Sequence, residues 1–439
     1  MDAAPSHDEE QHTIALRQKL IDYLKQQGHI RTPAVETAMR EVPRHPFLPA
    51  ENVEQVYSDI PIKTKVQDGE AISSSSQPTI MAIMLEQLDL QPGQRVLEIG
   101  AGTGYNAALM AHIVGTTGSV VTMDIDEDIV SGARVHLQRA GYERVRVVLA
   151  DGAFGCPDDA PYDRIILTTS AADIAPAWRE QLKPGGRLVL PFKLTQIAPF
   201  SLNTASWLIS DQVLLTLQHP GADKAYIESV DIRMCGFMPL RGTFALSRRP
   251  LVALDSIDHF YMNALRPVER SALVELLQNS FEEVPLPVNV ILTGLFALRL
   301  WLALRDPYYC EVHVRFSDTE KVPPTSLANI TPLDPAIAAL GLYADNTLCF
   351  LSRIDSGNQQ GHMQPFGLTL RTIGTSRELT GHLIREVITW DAAGQPFQWG
   401  PQGTMEHMRI RVYPRDALYT PVGSEFVVDR PGSRFVFSY

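Results

Sequence analysis

Residues 77–192 predict an α/β domain, a doubly wound parallel sheet covered by helices on both faces. An N-terminal helical segment precedes it and a C-terminal α+β domain follows. Three observations carry this reading. Strand-like and helix-like segments alternate from Gln77 onward, a glycine-rich turn closes the first strand of the series, and the alternation stops after Phe192.

The elements follow in order. Residues 13–28 place Leu16, Leu20, Ile21 and Leu24 on the apolar stripe of an amphipathic helix, with Gly28 at its end. A second helix is expected over 33–42, stopped by the proline-rich VPRHPFLP at 42–49, and an irregular stretch runs from about Asp59 to Pro78. Helix 78–88 opens on Pro78, whose missing N–H would be unpaired at a first helical position anyway. The strand RVLEI (95–99), a helix over 105–113, the strand SVVTMDI (119–125) and a helix near 127–140 come next. Strands over 145–150 and 163–169, a helix over 174–182, a PGG turn and the strand RLVLP (187–191) complete the series. Strands alternating with helices of this length imply a parallel sheet.

Beyond Phe192 the expected strands are short: 206–217, 226–234, 308–316, 347–353, 408–413 and 434–438. Helices are expected over 269–281, 290–304 and 376–388, the last with Thr375 and Glu378 spaced as a capping box. The expected division is therefore 1–76, an N-terminal helical segment and active-site loop; 77–204, the ligand-binding α/β domain; and 205–439, the α+β domain.

Composition narrows the function classes. The chain of 439 residues carries 38 Lys and Arg against 50 Asp and Glu, a formal net charge of −12 that gives no general attraction to nucleic acid or anionic lipid. Its four cysteines form no CxxC pair, which argues against a disulfide framework or structural zinc. The acidic opening MDAAPSHDEEQH lacks the parts of a secretory signal, so a cytoplasmic location is expected. The apolar run Val288–Leu304 is interrupted by Arg299 and reads as a buried helix. His45, His112 and His136 lack metal-ligand spacing, and no metal is expected.

The chemistry concentrates in VLEIGAGTGYN, 96–106, where a strand ending in Glu98 is followed by Gly100, Gly102 and Gly104. Such glycines let the backbone turn sharply and approach a ligand, while the next helix presents its N-terminus. A dinucleotide fingerprint would need glycine where Tyr105 stands. The spacing resembles instead the S-adenosylmethionine loop of class I methyltransferases, with their Rossmann-like fold. Asp124 ends the second strand, where a carboxylate could accept both ribose hydroxyls, and Asp151 falls where such folds hold the adenine amino group.

Several linked segments over about 35–192 resemble the protein-L-isoaspartate O-methyltransferases: AMREVPRHPFLP (38–49), YSDIPI (57–62), SQP (76–78), PGQRVLEIGAGTGY (92–105), ADG (150–152), APYDRIILTTSA (160–171) and LKPGGRLVLP (182–191). The resemblance implies Ser76 as the active-site serine, although Ser74 and Ser75 replace the Thr and Ile that precede it in the family. It implies a cofactor site of Ser74, Glu98, Gly100, Gly102, Gly104, Tyr105, Asp124, Ile125, Asp151 and Gly152, and S-adenosyl-L-methionine as cofactor. It also implies a peptide or protein carboxylate as acceptor, with no nucleic acid or membrane partner. Because more than half of the chain lies beyond the strand at 187–191, the length resembles family members of ribosomal-peptide pathways (lanthipeptide, lasso peptide, graspetide). The expected acceptor is then an aspartyl side chain of a ribosomally made precursor, bound by the domain 205–439, whose ester closes to aspartimide and on to isoaspartate. Repair of isoaspartyl residues in damaged protein is the alternative, and a cofactor-binding scaffold in a peptide-maturation complex is the alternative of another class.

Overall fold

The computed structural model describes residues 7–67, 69–197, 211–245, 252–254, 260–314, 339–354, 364–400 and 403–439. Helix α1, His7–Gln26, buries Leu20, Ile21 and Leu24, the stripe read from the sequence. Helix α2, Pro33–Glu41, is capped by the Thr32 hydroxyl, and Glu86 accepts the backbone N–H of Arg31 and Thr32. Helix α3, Val53–Val56, is a single turn. Irregular chain was expected from Asp59 to Pro78. Instead, β1 (Ile62–Gln67) and β2 (Glu70–Ser75) pair as an antiparallel hairpin. Only Ile62 is buried in β1, so the hairpin carries lysines and serines rather than an alternating apolar face.

The parallel core follows as α4 (Pro78–Leu88), β3 (Arg95–Ile99), α5 (Tyr105–Val114), β4 (Ser119–Asp124), α6 (Glu127–Arg139), β5 (Arg146–Leu149), β6 (Tyr162–Leu167), α7 (Pro176–Glu180) and β7 (Leu182–Lys193). From β3 the chain steps outward through β4 to β5, then returns to the other side of β3 with β6 and β7. This reversal is a topological switch point, where open α/β sheets bind ligands outside the strands' carboxyl ends.

The remaining elements are β8 (Gln212–Gln218), β9 (Ile227–Met234), β10 (Val252–Ala253), β11 (Phe260–Ala264), α8 (Arg270–Leu276), β12 (Glu282–Val290), α9 (Leu292–Arg305), β13 (Tyr309–Val314), β14 (Ala339–Ala344), β15 (Thr347–Arg353), β16 (Phe366–Ile373), α10 (Arg377–Ala392), β17 (Arg409–Pro414), β18 (Phe426–Asp429) and β19 (Ser433–Ser438). They do not stand apart from the core. Strand β8 adds antiparallel to β7, β9 to β8, and the last strands return to give a ten-stranded order β18-β19-β17-β9-β8-β7-β6-β3-β4-β5. The division expected at 204/205 falls outside the described residues, between β7 and β8, which pair with each other. The part of the 206–217 strand before Asp211 lies outside the described residues.

A second sheet of seven strands, β10-β11-β13-β14-β15-β16-β12, shares one apolar core with the first. Helix α9 is buried nearly all round, as a helix covered on several sides must be, and touches both β13 of one sheet and β18 of the other. The fully buried Arg430 donates to the carbonyls of Ala172, Lys193 and Leu194, tying the C-terminal hairpin to the end of β7. Helix α10 is capped by Ser376, which accepts the Leu379 N–H, one residue after the expected Thr375. Among the described residues no helix is long and apolar enough to cross a membrane.

Candidate active site

The carboxyl ends of β3, β4 and β6 converge on the glycine loop. At Gly100 φ is 104°, and a Cβ there would sit 2.4 Å from the Thr168 Oγ1 at the end of β6, so both backbone and space demand glycine. Gly104, with φ 88°, turns the chain into α5, and a Cβ there would meet the Leu137 Cγ of α6 at 3.1 Å. This last glycine fixes the packing of two helices. Gly102 lies between them, with its N–H 3.4 Å from Asp124 Oδ2.

Glu98 sits beneath this loop. It is fully buried and accepts hydrogen bonds from Thr122 Oγ1 at 2.6 Å and Asn106 Nδ2 at 2.7 Å, joining β3 to β4 and α5. Burial pushes its carboxyl up to about 7, against the effect of both hydrogen bonds. The native state therefore binds a proton that the unfolded chain has released between pH 4.5 and about 7, and stability falls as pH rises through that window. Glu98→Gln is expected to remove this slope, on the order of 3 kcal/mol in all. Urea denaturation at pH 5 and pH 8 measures it, and equal slopes in both proteins would assign the effect elsewhere.

One cavity of about 750 Å³ opens above the loop, within the range of small-molecule sites. Ser74, Ser76, Gly100, Gly102, Asp124, Ile125 and Gly152 all line it. Asp124 accepts the Ile125 N–H at 2.9 Å, and burial raises its carboxyl pKa. Tyr105 is buried against Phe47, and with Glu98 it borders a smaller adjoining pocket. Thr169 Oγ1, on the wall of the main cavity, is buried without a hydrogen-bond partner among the described residues. An unmatched hydroxyl, an acid at a strand end and a glycine cradle fit a polar nucleoside ligand.

Asp151, expected at the base end of the cofactor, stands at the start of the turn after β5. Its Oδ1 caps the turn at Ala153, and its Oδ2 accepts both the N–H and the hydroxyl of Thr243 at 2.8 Å. Thr243 belongs to a strap, residues 235–245, whose first part lines the cavity. Phe237, Met238, Leu240 and Arg241 of the strap line the cavity, and Arg241 donates to both oxygens of Asp126 at 3.1 and 2.7 Å.

The model of the family "Protein-L-isoaspartate(D-aspartate) O-methyltransferase (PCMT)" matches residues 15–204. A protein-L-isoaspartate O-methyltransferase of Methanopyrus kandleri is 43% identical over 176 residues, covering 40% of this chain and 76% of that one. The chain belongs to the protein-L-isoaspartate O-methyltransferase family. The enzyme of the same name from Hyperthermus butylicus is 41% identical over 196 residues, covering 43% of this chain and 79% of that one. A solved structure titled protein-L-isoaspartate O-methyltransferase aligns over 90% of this chain and 96% of that one, with 22% identity and a TM-score of 0.49.

This member of the methyltransferase family uses S-adenosyl-L-methionine, and the family motifs have a physical reason here. Arg44, from VPRHPFLP, is only 1% exposed, and its Nη2 donates to Ser75 Oγ at 3.0 Å and to the Ser76 carbonyl at 2.9 Å. Its Nη1 reaches the Val56 carbonyl at 3.2 Å. Asp59, from YSDIPI, accepts from Gln77 Nε2, the Thr79 N–H and the Thr79 hydroxyl. The serine run is thus clamped from both sides. Sequence reasoning used both segments as signatures without assigning these roles, and their position next to SQP was the available signal.

Proposed function

We propose that this chain transfers a methyl group from S-adenosyl-L-methionine to the free carboxylate of an isoaspartyl residue in a peptide or protein. The observation that carries the reading is that Ser76, the glycine loop and Asp124 face one cavity in a chain of this family. The relatives' names support isoaspartyl as the acceptor over the ordinary aspartyl side chain expected from chain length.

The bound donor supplies an electrophilic methyl on a sulfonium. A carboxylate is already ionised at pH 7, so the protein needs no general base. Its task is to orient and desolvate. In this reading Asp124, Ile125, Gly100 and Gly102 hold the donor, and Gly152 forms the wall at its base end. Ser76 donates one hydrogen bond to the acceptor carboxylate and turns its other oxygen toward the methyl. Glu98, Gly104 and Tyr105 support the loop from below, and Asp151 anchors the strap. Ile80, Ile83, Phe237 and Met238 give the cavity apolar walls that displace water from the reacting oxygen.

A second reading, methylation of an aspartyl side chain in a ribosomally made precursor, is favoured by one observation: Asp211, Arg299, Glu311 and His313, beyond the matched segment, also line the cavity. Supplying labelled donor with an isoaspartyl peptide, and in parallel with its aspartyl twin, separates the two. Transfer to the isoaspartyl peptide is the expected result. Transfer to the aspartyl twin alone would replace the first reading with the second.

A further inference from the structure

The strap at residues 235–245 is held in two different ways along its length. Its first part is tied to the sheet through its backbone: Phe237 donates its N–H to Gln212 Oε1 at 2.8 Å, Ser170 donates its N–H to the Met238 carbonyl at 2.7 Å, and Leu240 donates to the Ser170 carbonyl at 2.8 Å. The tip, 241–243, is held by two carboxylates instead. Arg241 bonds both oxygens of Asp126, and Thr243 gives its N–H and its hydroxyl to Asp151.

Those carboxylates flank the donor site. Asp126 lies two residues past the end of β4 and Asp151 two past the end of β5, and the two strands are neighbours. Two residues of chain span at most about 7 Å, enough to cross one strand spacing of about 4.8 Å. The tip therefore bridges the two strand ends. Ile125 beside Asp126 and Gly152 beside Asp151 line the cavity, as does Arg241 itself. Asp126 also donates its N–H to Asp124 Oδ1 at 3.3 Å and accepts from Lys65 of β1 at 3.3 Å. Strap, hairpin and the acid at the end of β4 thus meet at one residue.

The approach of the tip is close. At Gly242 φ is 93°, and a Cβ there would sit 2.6 Å from Asp151 Oδ2, so glycine alone lets the tip seat on that carboxylate. With the tip in this position the cavity keeps its volume of about 750 Å³. The strap bounds the donor's space rather than filling it.

We infer that Arg241, Gly242 and Thr243 complete the donor site as a clamp on its base end, one that slows departure of the bound nucleoside. The two-pronged, charge-assisted bond from Arg241 holds the tip more firmly than a neutral pair would. Its side chain is 37% exposed and that of Asp126 20%, so the bond breaks without disturbing the sheet, and segments of this kind commonly govern ligand release. The clamp stands beyond the segment matched by the family model and is a contribution of the C-terminal half.

The inference rests on the proposed placement of the donor at Asp124 with its base end at Gly152, and the test separates the two. Association and dissociation of S-adenosylhomocysteine on the immobilised full chain are read by surface plasmon resonance, and amide hydrogen exchange over 237–245 is followed with and without it. The wild-type strap is expected to gain protection on binding. Gly242→Ala lifts the tip from Asp151 and Arg241→Met removes the bond to Asp126, and each is expected to speed dissociation about tenfold with thermal unfolding unchanged. Thr243→Ser keeps both donors to Asp151 and is expected to match the wild type. Unchanged or slower dissociation in both Gly242→Ala and Arg241→Met, or loss of strap protection on binding, overturns the clamp. Undiminished affinity in Asp124→Asn would count against the donor's placement, while the strap variants decide the clamp either way.

Discussion

Arg44→Met is expected to lower methyl transfer by about a hundredfold and stability by about 3 kcal/mol, because it removes a buried cation that several groups depend on. The guanidinium bonds Ser75 Oγ and the carbonyls of Ser76 and Val56 inside the protein. Burial pushes its pKa down, yet an arginine keeps its proton there. Methionine fills the volume but leaves those acceptors unpaired, so the serine run loses its position relative to the glycine loop. Ser76→Ala removes only the proposed contact to the acceptor, and should cost about tenfold or more in turnover with folding and S-adenosylhomocysteine affinity intact. Thermal unfolding, calorimetry with S-adenosylhomocysteine and single-turnover transfer on both variants check this. Undiminished turnover in Ser76→Ala would remove that hydroxyl from the mechanism.

Ending the chain after Ile197 is expected to abolish folding rather than release a smaller enzyme. Strand β7 would become an edge with Leu188, Val189, Leu190 and Phe192, all fully buried in the intact protein. Burying such side chains contributes roughly 1.5–3 kcal/mol each, comparable in sum with the stability of a whole domain. A long apolar edge strand is also a template for association. Size-exclusion chromatography and far-UV circular dichroism of the shortened chain measure the outcome. A monomeric, helical product that binds S-adenosylhomocysteine would show that the added strands are dispensable.

The parallel core was legible because its strands are apolar runs punctuated by a glycine loop and amphipathic helices, signals that reside within ten residues or so. The hairpin of β1 and β2 was not: IKTKVQ alternates the β-branched Ile62, Thr64 and Val66 with polar residues, but only Ile62 is buried, and EAISSS offers no matching pattern. The joining of both halves was hidden for another reason. Ile410 donates its N–H to Ser229 Oγ across a separation of 181 residues, and Thr243 finds Asp151 across 92. Such pairings leave no local periodicity. Of the site, the glycine loop and Asp124 could be read from type and spacing. Asp151 was read from sequence as a base-binding acid, and its partner Thr243, far along the chain, was not legible there.

The continuous ten-stranded sheet also constrains the order in which the protein can be made. Strand β9 ends at Met234, but its outer neighbour β17 begins only at Arg409, and β19, which pairs with β17, spans Ser433–Ser438. While those residues remain in the ribosome, β9 is an open edge and Arg430 has not yet reached the carbonyls at the end of β7. Pairing over such separations is also slow once the segments are available. A nascent chain that already contains every residue of the glycine loop therefore still lacks the outer strands that cover β9.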